Sequence, residues 1–219
     1  MKLLALDSAT SAPSIALLRD GAIRLERLDG ARGRDEQLVP EIAALLEREG
    51  IALASLDRLA VTIGPGRFTG LRAGLAAMRG LALASGLKLV GVTTLEAVAE
   101  AARGSLEPDE SLLAAIDSRR AEPFLQVFAP DGSARGEPFA APIERIAALA
   151  PAGRLALAGE RTDEIARALA HAGRAARTLP LGCDAAAVAT LGARAAPPDR
   201  APSPFYLHPP SVTPARVRA

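Results

Sequence analysis

The chain has no tryptophan, one tyrosine, one cysteine and two histidines among its 219 residues. Each scarcity excludes something. A single cysteine, Cys183, can form neither an internal disulfide nor a cysteine-rich zinc site, and it suits a reducing compartment. The histidines, His171 and His208, are far apart and have no neighbouring ligands, so they make no local metal pair. No histidine stands near Ser8, Ser11 or Ser14, and a serine triad there lacks its base. Aromatics at 3% offer no stacking surface for single-stranded nucleic acid. No apolar run approaches the roughly 20 residues that span a bilayer. The first residues lack the basic start and long apolar stretch of a signal peptide, and the expectation is a cytoplasmic protein. Charge of either sign is not in excess. Lys and Arg number 26 against 25 Asp and Glu, which gives no basic surplus that demands a nucleic-acid partner.

What is present reads as alternating strands and helices. Residues 2–6 and 14–18 predict strands, Asp20-Gly21 a two-residue hairpin turn, and residues 23–28 a third strand. After a loop with Gly30 and Gly33, Asp35 caps a predicted helix over 36–49 that Gly50 stops. Its apolar stripe is Leu38, Val39, Ile42, Leu45 and Leu46. A strand over 59–63, a helix over 68–85 stopped by Gly86, a strand over 87–92 and a helix capped by Thr93 or Thr94 follow. Residues 103–110 read as a linker, and then the pattern restarts. Leu3-Leu4-Ala5-Leu6-Asp7-Ser8 is echoed by Leu112-Leu113-Ala114-Ala115-Ile116-Asp117-Ser118. Each run precedes a second strand that ends in an Asp-Gly turn, Asp131-Gly132 in the later half. Helices over 143–149 and 163–171, a strand over 155–157 and a helix over 185–195 complete the order, ahead of a Pro-rich tail over 197–214. The scheme fits a duplicated ribonuclease-H-like α/β fold in two lobes, the architecture of the actin-like ATPase, sugar kinase and Hsp70 superfamily. The expected division is 1–103, 104–196 and a tail over 197–219. Fold alone does not fix activity.

Two stretches carry candidate chemistry. Asp7, Ser8 and Thr10 form the turn after the first strand, where an actin-like ATPase holds Mg-ATP. The turn has no glycine to bring backbone N–H groups close to phosphate, so it reads as a vestigial nucleotide site or as a carboxylate that braces its own turn. Gly64-Pro65-Gly66-Arg67-Phe68-Thr69-Gly70 lacks the Lys and Ser/Thr of a Walker loop and the third glycine of a dinucleotide fingerprint. It reads as a tight strand-to-helix turn. The helix behind it has only Arg72 and Arg79 as charged side chains and is apolar or small nearly all round. Gly70, Gly74, Ala77 and Gly80 leave room for close approach, so the expectation is a second buried face supplied by another chain.

These residues also carry a resemblance. Asp7-Ser8-Ala9-Thr10, Gln37-Leu38-Val39-Pro40, the run from Gly64 to Arg72, Gly91-Val92-Thr93-Thr94-Leu95, Ile116-Asp117-Ser118-Arg119-Arg120-Ala121-Glu122 and Phe205-Tyr206-Leu207 occur in an order that resembles the TsaB (YeaZ-type) tRNA threonylcarbamoyladenosine biosynthesis proteins over almost the whole chain. Asp35 departs from that pattern, where many relatives carry His or Ser. The resemblance implies no catalytic residue, no metal site and no cofactor bound by this chain alone, and it leaves open a nucleotide at a subunit interface. It implies a TsaD homologue as partner, with TsaE completing an assembly that moves a threonylcarbamoyl group from its adenylate to the adenosine beside the tRNA anticodon. tRNA would be met mostly through the complex, and a homodimer is the alternative assembly. The partner face it implies is Leu38, Val39, Ile42, Leu45 and Leu46 on the first helix and Phe68, Leu71, Arg72, Gly74, Leu75 and Met78 on the second. The competing expectations are a glycoprotease-like peptidase, for which no metal site or nucleophile–base pair can be assembled, and a small-molecule kinase of the actin-like fold.

Overall fold

The computed structural model describes residues 1–28 and 37–207. Strands β1 (Lys2–Asp7), β2 (Ser14–Arg19) and β3 (Ala22–Arg27) form an antiparallel meander. Asp20 and Gly21 turn between β2 and β3 with φ of 50° and 86°, the pair of positive values that a tight I′ hairpin requires. Strand β4 (Arg58–Gly64) pairs parallel with β1, and β5 (Leu89–Thr93) pairs parallel with β4. The sheet order is β3-β2-β1-β4-β5.

The later half repeats this plan. Strands β6 (Ser111–Ile116), β7 (Phe124–Phe128), β8 (Phe139–Ala140), β9 (Leu155–Gly159) and β10 (Arg177–Thr178) assemble in the order β10-β9-β6-β7-β8. Read from the other edge it is the same topology, with β6 in the place of β1. The sequence echo therefore marks a structural repeat, two mixed sheets of the actin-like, ribonuclease-H-like kind.

Alternation along the strands sorts the core into layers. Leu4 and Leu6 of β1 face an outer layer with α1 (Leu38–Arg48) and α2 (Phe68–Ser85), whereas Leu3 and Ala5 face inward. In the second sheet Leu113 and Ala115 face α4 (Ile146–Leu149) and α5 (Thr162–His171), and Leu112, Ala114 and Ile116 face inward. Between the sheets lie α3 (Thr94–Ala102) and α6 (Ala185–Arg194). They cross over: α3 of the first half packs on β6, β7 and β9, while α6 of the second half packs on β1, β2 and β4. Arg58 on β4 donates to the carbonyls of Gly192 (2.8 Å) and Ala195 (2.6 Å) and so satisfies the last turn of α6.

Local signals set the helix ends. Gly86 at φ 71° ends α2, Thr93 and Glu96 form a reciprocal capping box on α3, and Asp184 accepts from Ala187 N–H to start α6. The expected cap Asp35, the helix start at Glu36, the loop glycines Gly30 and Gly33, His208 and the tail beyond 207 lie outside the described residues. Residues 143–145 form a tighter 3₁₀ turn, so α4 is only its last four residues. The two-residue strands β8 and β10 were not expected, because two residues are too short to show a period.

Candidate functional site

The Asp7 turn is built inward. Asp7 is fully buried. Its Oδ2 accepts from Thr10 Oγ1 at 2.5 Å, and its Oδ1 accepts from Ala9 N–H at 3.0 Å and Thr62 Oγ1 at 2.8 Å. Ser8 Oγ donates to the Gly70 carbonyl at 2.9 Å. Asp7, Ser8 and Thr10 are thus brought together, but both carboxylate oxygens are engaged by the chain itself. That arrangement does not fit a carboxylate serving a magnesium-bound phosphate. Burial pushes the Asp7 carboxyl above its ordinary range, against the opposing pull of the Thr10, Thr62 and Ala9 donors. Cys183 is buried beside it, and the same desolvation pushes its thiol up.

The sign of this shift makes a prediction. Folding raises the carboxyl's affinity for a proton, so the folded state holds more protons than the unfolded one just above the unfolded pKa. The resulting stability is present at acid pH and fades as pH rises through the folded pKa. Asp7→Asn removes that dependence. Thermal melts of both proteins between pH 3.5 and 8 should show wild type losing ground to the variant as pH rises. Parallel curves would contradict the assignment.

The glycine-rich turn is explained by the same neighbourhood. Arg67 N–H donates to the Ala9 carbonyl at 2.7 Å, which pins the start of α2 against the turn after β1. A Cβ at Gly66 would lie 2.3 Å from Ala9 O, at Gly70 2.1 Å from Ser8 O, and at Gly74 2.0 Å from Ser8 Oγ. Gly66 in the turn and Gly70 and Gly74 on one stripe of α2 all lie on the chain's own β1 turn. The close approach expected from another chain is intramolecular at Gly70 and Gly74. Gly80 faces open space.

The partner-face residues divide. Leu75 (3% exposed) and Met78 are buried against the first sheet together with Leu38, Ile42, Leu45 and Leu46, and Leu71 is buried as well. Gly74 is also buried. The α1 stripe that periodicity selects covers the sheet except at Val39, and the α2 side chains that the resemblance points to are buried within the chain, so their burial needs no second chain. Left outward are Val39 (44% exposed), Phe68 (43%) and Leu83 (88%), together with the exposed Arg72 and Arg79. Helix α2 carries no acidic residue at all.

A cleft of about 500 Å³ separates the β1 turn from the second half, lined by Thr10, Ser11, Glu160, Asp163, Thr178 and Cys183 among others. Glu160 ties its two sides together. It accepts from Ser11 N–H at 3.0 Å and from Ser11 Oγ on one side, and from Asp117 N–H at 2.9 Å on the other. Sequence reading passed over Glu160, whose partners are 149 and 43 positions away. Among the described residues, no group of three or more His, Cys, Asp or Glu side chains is placed to hold a metal ion. No helix among them is long and apolar enough to cross a membrane.

Comparison with known proteins gives consistent matches. The family described as TsaD, tRNA N6-adenosine threonylcarbamoyltransferase, matches residues 29–191. The tRNA threonylcarbamoyladenosine biosynthesis protein TsaB of Escherichia coli (strain K12) is 36% identical over 127 residues, which are 57% of this chain and 53% of that protein. The chain spans about half the length of the curated relatives it matches. Among solved structures, a Pseudomonas aeruginosa protein described as uncharacterized with similarity to peptidase YEAZ superposes with a TM-score of 0.76 at 27% identity. That match covers 94% of this chain and 99% of the other. YeaZ from Pseudomonas aeruginosa superposes at 0.69 with 28% identity, covering 87% and 90%.

Proposed function

Since the chain belongs to the TsaD family of tRNA N6-adenosine threonylcarbamoyltransferases, as a TsaB/YeaZ-type member, we propose that it serves tRNA threonylcarbamoyladenosine biosynthesis as the non-catalytic partner of a TsaD homologue. With TsaE, that partner would move the threonylcarbamoyl group from threonylcarbamoyl-AMP to the adenosine beside the tRNA anticodon, in the cytoplasm. In this reading the chain binds no cofactor on its own. Its contribution is an outer helical face that favours the active arrangement of the partner through contacts made only in that arrangement.

The observation that carries this reading is the contrast between the two candidate sites. The Asp7 turn spends its polar groups on its own backbone and hydroxyls. On the outside, α1 leaves Val39 exposed and α2 leaves Phe68 and Leu83 exposed, each of these two one turn from an exposed arginine, Arg72 or Arg79, an apolar and cationic mixture suited to a protein partner.

The test is titration of a purified TsaD homologue with the full chain. Leu83→Asp and Val39→Asp each put an unpaired carboxylate into the proposed contact and should weaken binding about a hundredfold, with melting temperatures close to wild type. Leu75→Asp is the control. It places a charge in the chain's own core and should unfold the chain itself. Folded Leu83→Asp and Val39→Asp variants that bind like wild type would remove this docking face.

A further inference from the structure

The chain's own tail runs across this outer face, and the rest of the sequence makes room for it. Pro202 lies over β5, where a Cβ at Gly91 would sit 2.7 Å from Pro202 Cβ and 2.7 Å from Ile63 Cγ2. Gly91 is a strand-interior glycine without positive φ. Strand interiors disfavour glycine, so its physical reason is this close approach. Further along, Phe205 N–H donates to the Ile63 carbonyl at 2.7 Å, and a Cβ at Gly64 would lie 2.6 Å from Phe205 O. Arg79 of α2 donates to the Pro202 carbonyl. Backbone contacts therefore fix the path of the tail.

That path delivers Tyr206 to Arg72. The Tyr206 hydroxyl accepts from Arg72 Nε at 2.9 Å. The guanidinium stacks 3.8 Å above the Phe68 ring and lies 5.8 Å from the Tyr206 ring. The two rings are 5.7 Å apart and tilted by 33°. One edge and one face of the guanidinium are held, while its Nη groups have no hydrogen-bond partner among the described residues. Arg67, Arg72 and Arg79 form no ion pair with any described carboxylate, and α2 supplies none. A stacked, pre-oriented guanidinium is the form in which arginine binds a carboxylate with two N–H donors. Exposed Phe68 beneath it, and exposed Leu83 further along the same helix, add apolar surface that suits a protein rather than a phosphate backbone.

We infer that Tyr206 is a positioning residue of the docking face: the tail holds Arg72 in place to receive a carboxylate from an acidic, partly apolar surface of the protein partner. This rests on the docking face proposed above.

The experiment is a double-mutant cycle on the full chain, titrated against the purified TsaD homologue at two salt concentrations. Tyr206→Phe keeps the ring and removes the hydroxyl, and it should weaken binding about tenfold, the worth of one hydrogen bond to a charged group. Arg72→Lys should cost at least as much. Tyr206→Phe added to Arg72→Ala should cost little more, because the hydroxyl acts through the guanidinium. The wild-type complex should lose more affinity with salt than the Arg72→Ala complex. Wild-type affinity for Tyr206→Phe, or additive losses in the cycle, would overturn the inference. Leu83→Asp separates the two levels. If it abolishes binding while Tyr206→Phe does not affect it, only this inference falls; if it too binds normally, the docking face itself falls. Losses confined to tRNA affinity, with TsaD binding unchanged, would also overturn it.

Discussion

Gly70→Ala is expected to cost about 3 kcal/mol, at the upper end for overpacking, and to lower Tm by roughly 10 °C. The added Cβ would lie 2.1 Å from the Ser8 carbonyl oxygen. That atom is backbone, in the turn that follows a central strand, and it cannot swing aside as a side chain would. Relief requires lifting α2 from the β1 turn. That strains the Arg67–Ala9 bond and the Ser8 hydroxyl bond to the Gly70 carbonyl, and it disturbs the layer holding Leu71, Leu75 and Met78. Gly80 is the internal comparison. It lies in the same helix with nothing within 4 Å of an added Cβ. Gly80→Ala should stabilise by about 0.5–1 kcal/mol through helix propensity alone. Thermal or urea melts of the two variants decide the matter. Equal stabilities would mean that the glycines are not there to seat α2 on the β1 turn.

The same residues show how far sequence reading reaches. The bounds of α2 were legible because its apolar run ends at a glycine that takes positive φ. The repeat was legible because β1 and β6 share both their letters and their place in the order of elements. Composition marked α2 as apolar nearly all round and the resemblance put Leu71, Leu75 and Met78 on a partner face, but neither carries information about what covers them. Small residues at 70 and 74 signalled a close approach, and only the fold shows that the approaching residue is Ser8, by its carbonyl at 70 and its hydroxyl at 74. The exchange of α3 and α6 between the two sheets, the Glu160 bridge and the docking of Tyr206 on Arg72 are contacts between distant segments. They depend on topology and leave no local pattern. Gly91 was a visible hint, as a glycine in a strand without a turn to make, but its partner Pro202 is remote in sequence.

On the proposed function, a chain whose Asp7 turn is braced for structure still supports a tRNA modification, through the outer face of α1 and α2. If the chain acts as proposed, its loss removes the contacts that favour the partner's active arrangement, so a large effect is expected. The direct measurement is the threonylcarbamoyladenosine content of bulk tRNA, by mass spectrometry of nucleosides, in cells depleted of this chain. The nucleoside should fall to a small fraction of its normal level. Re-expressed wild type should restore it, as should Cys183→Ala and His171→Ala, whereas a folded Leu83→Asp variant should not. Normal threonylcarbamoyladenosine in the depleted cells, with no second homologue present, would rule out a role for this chain in the modification.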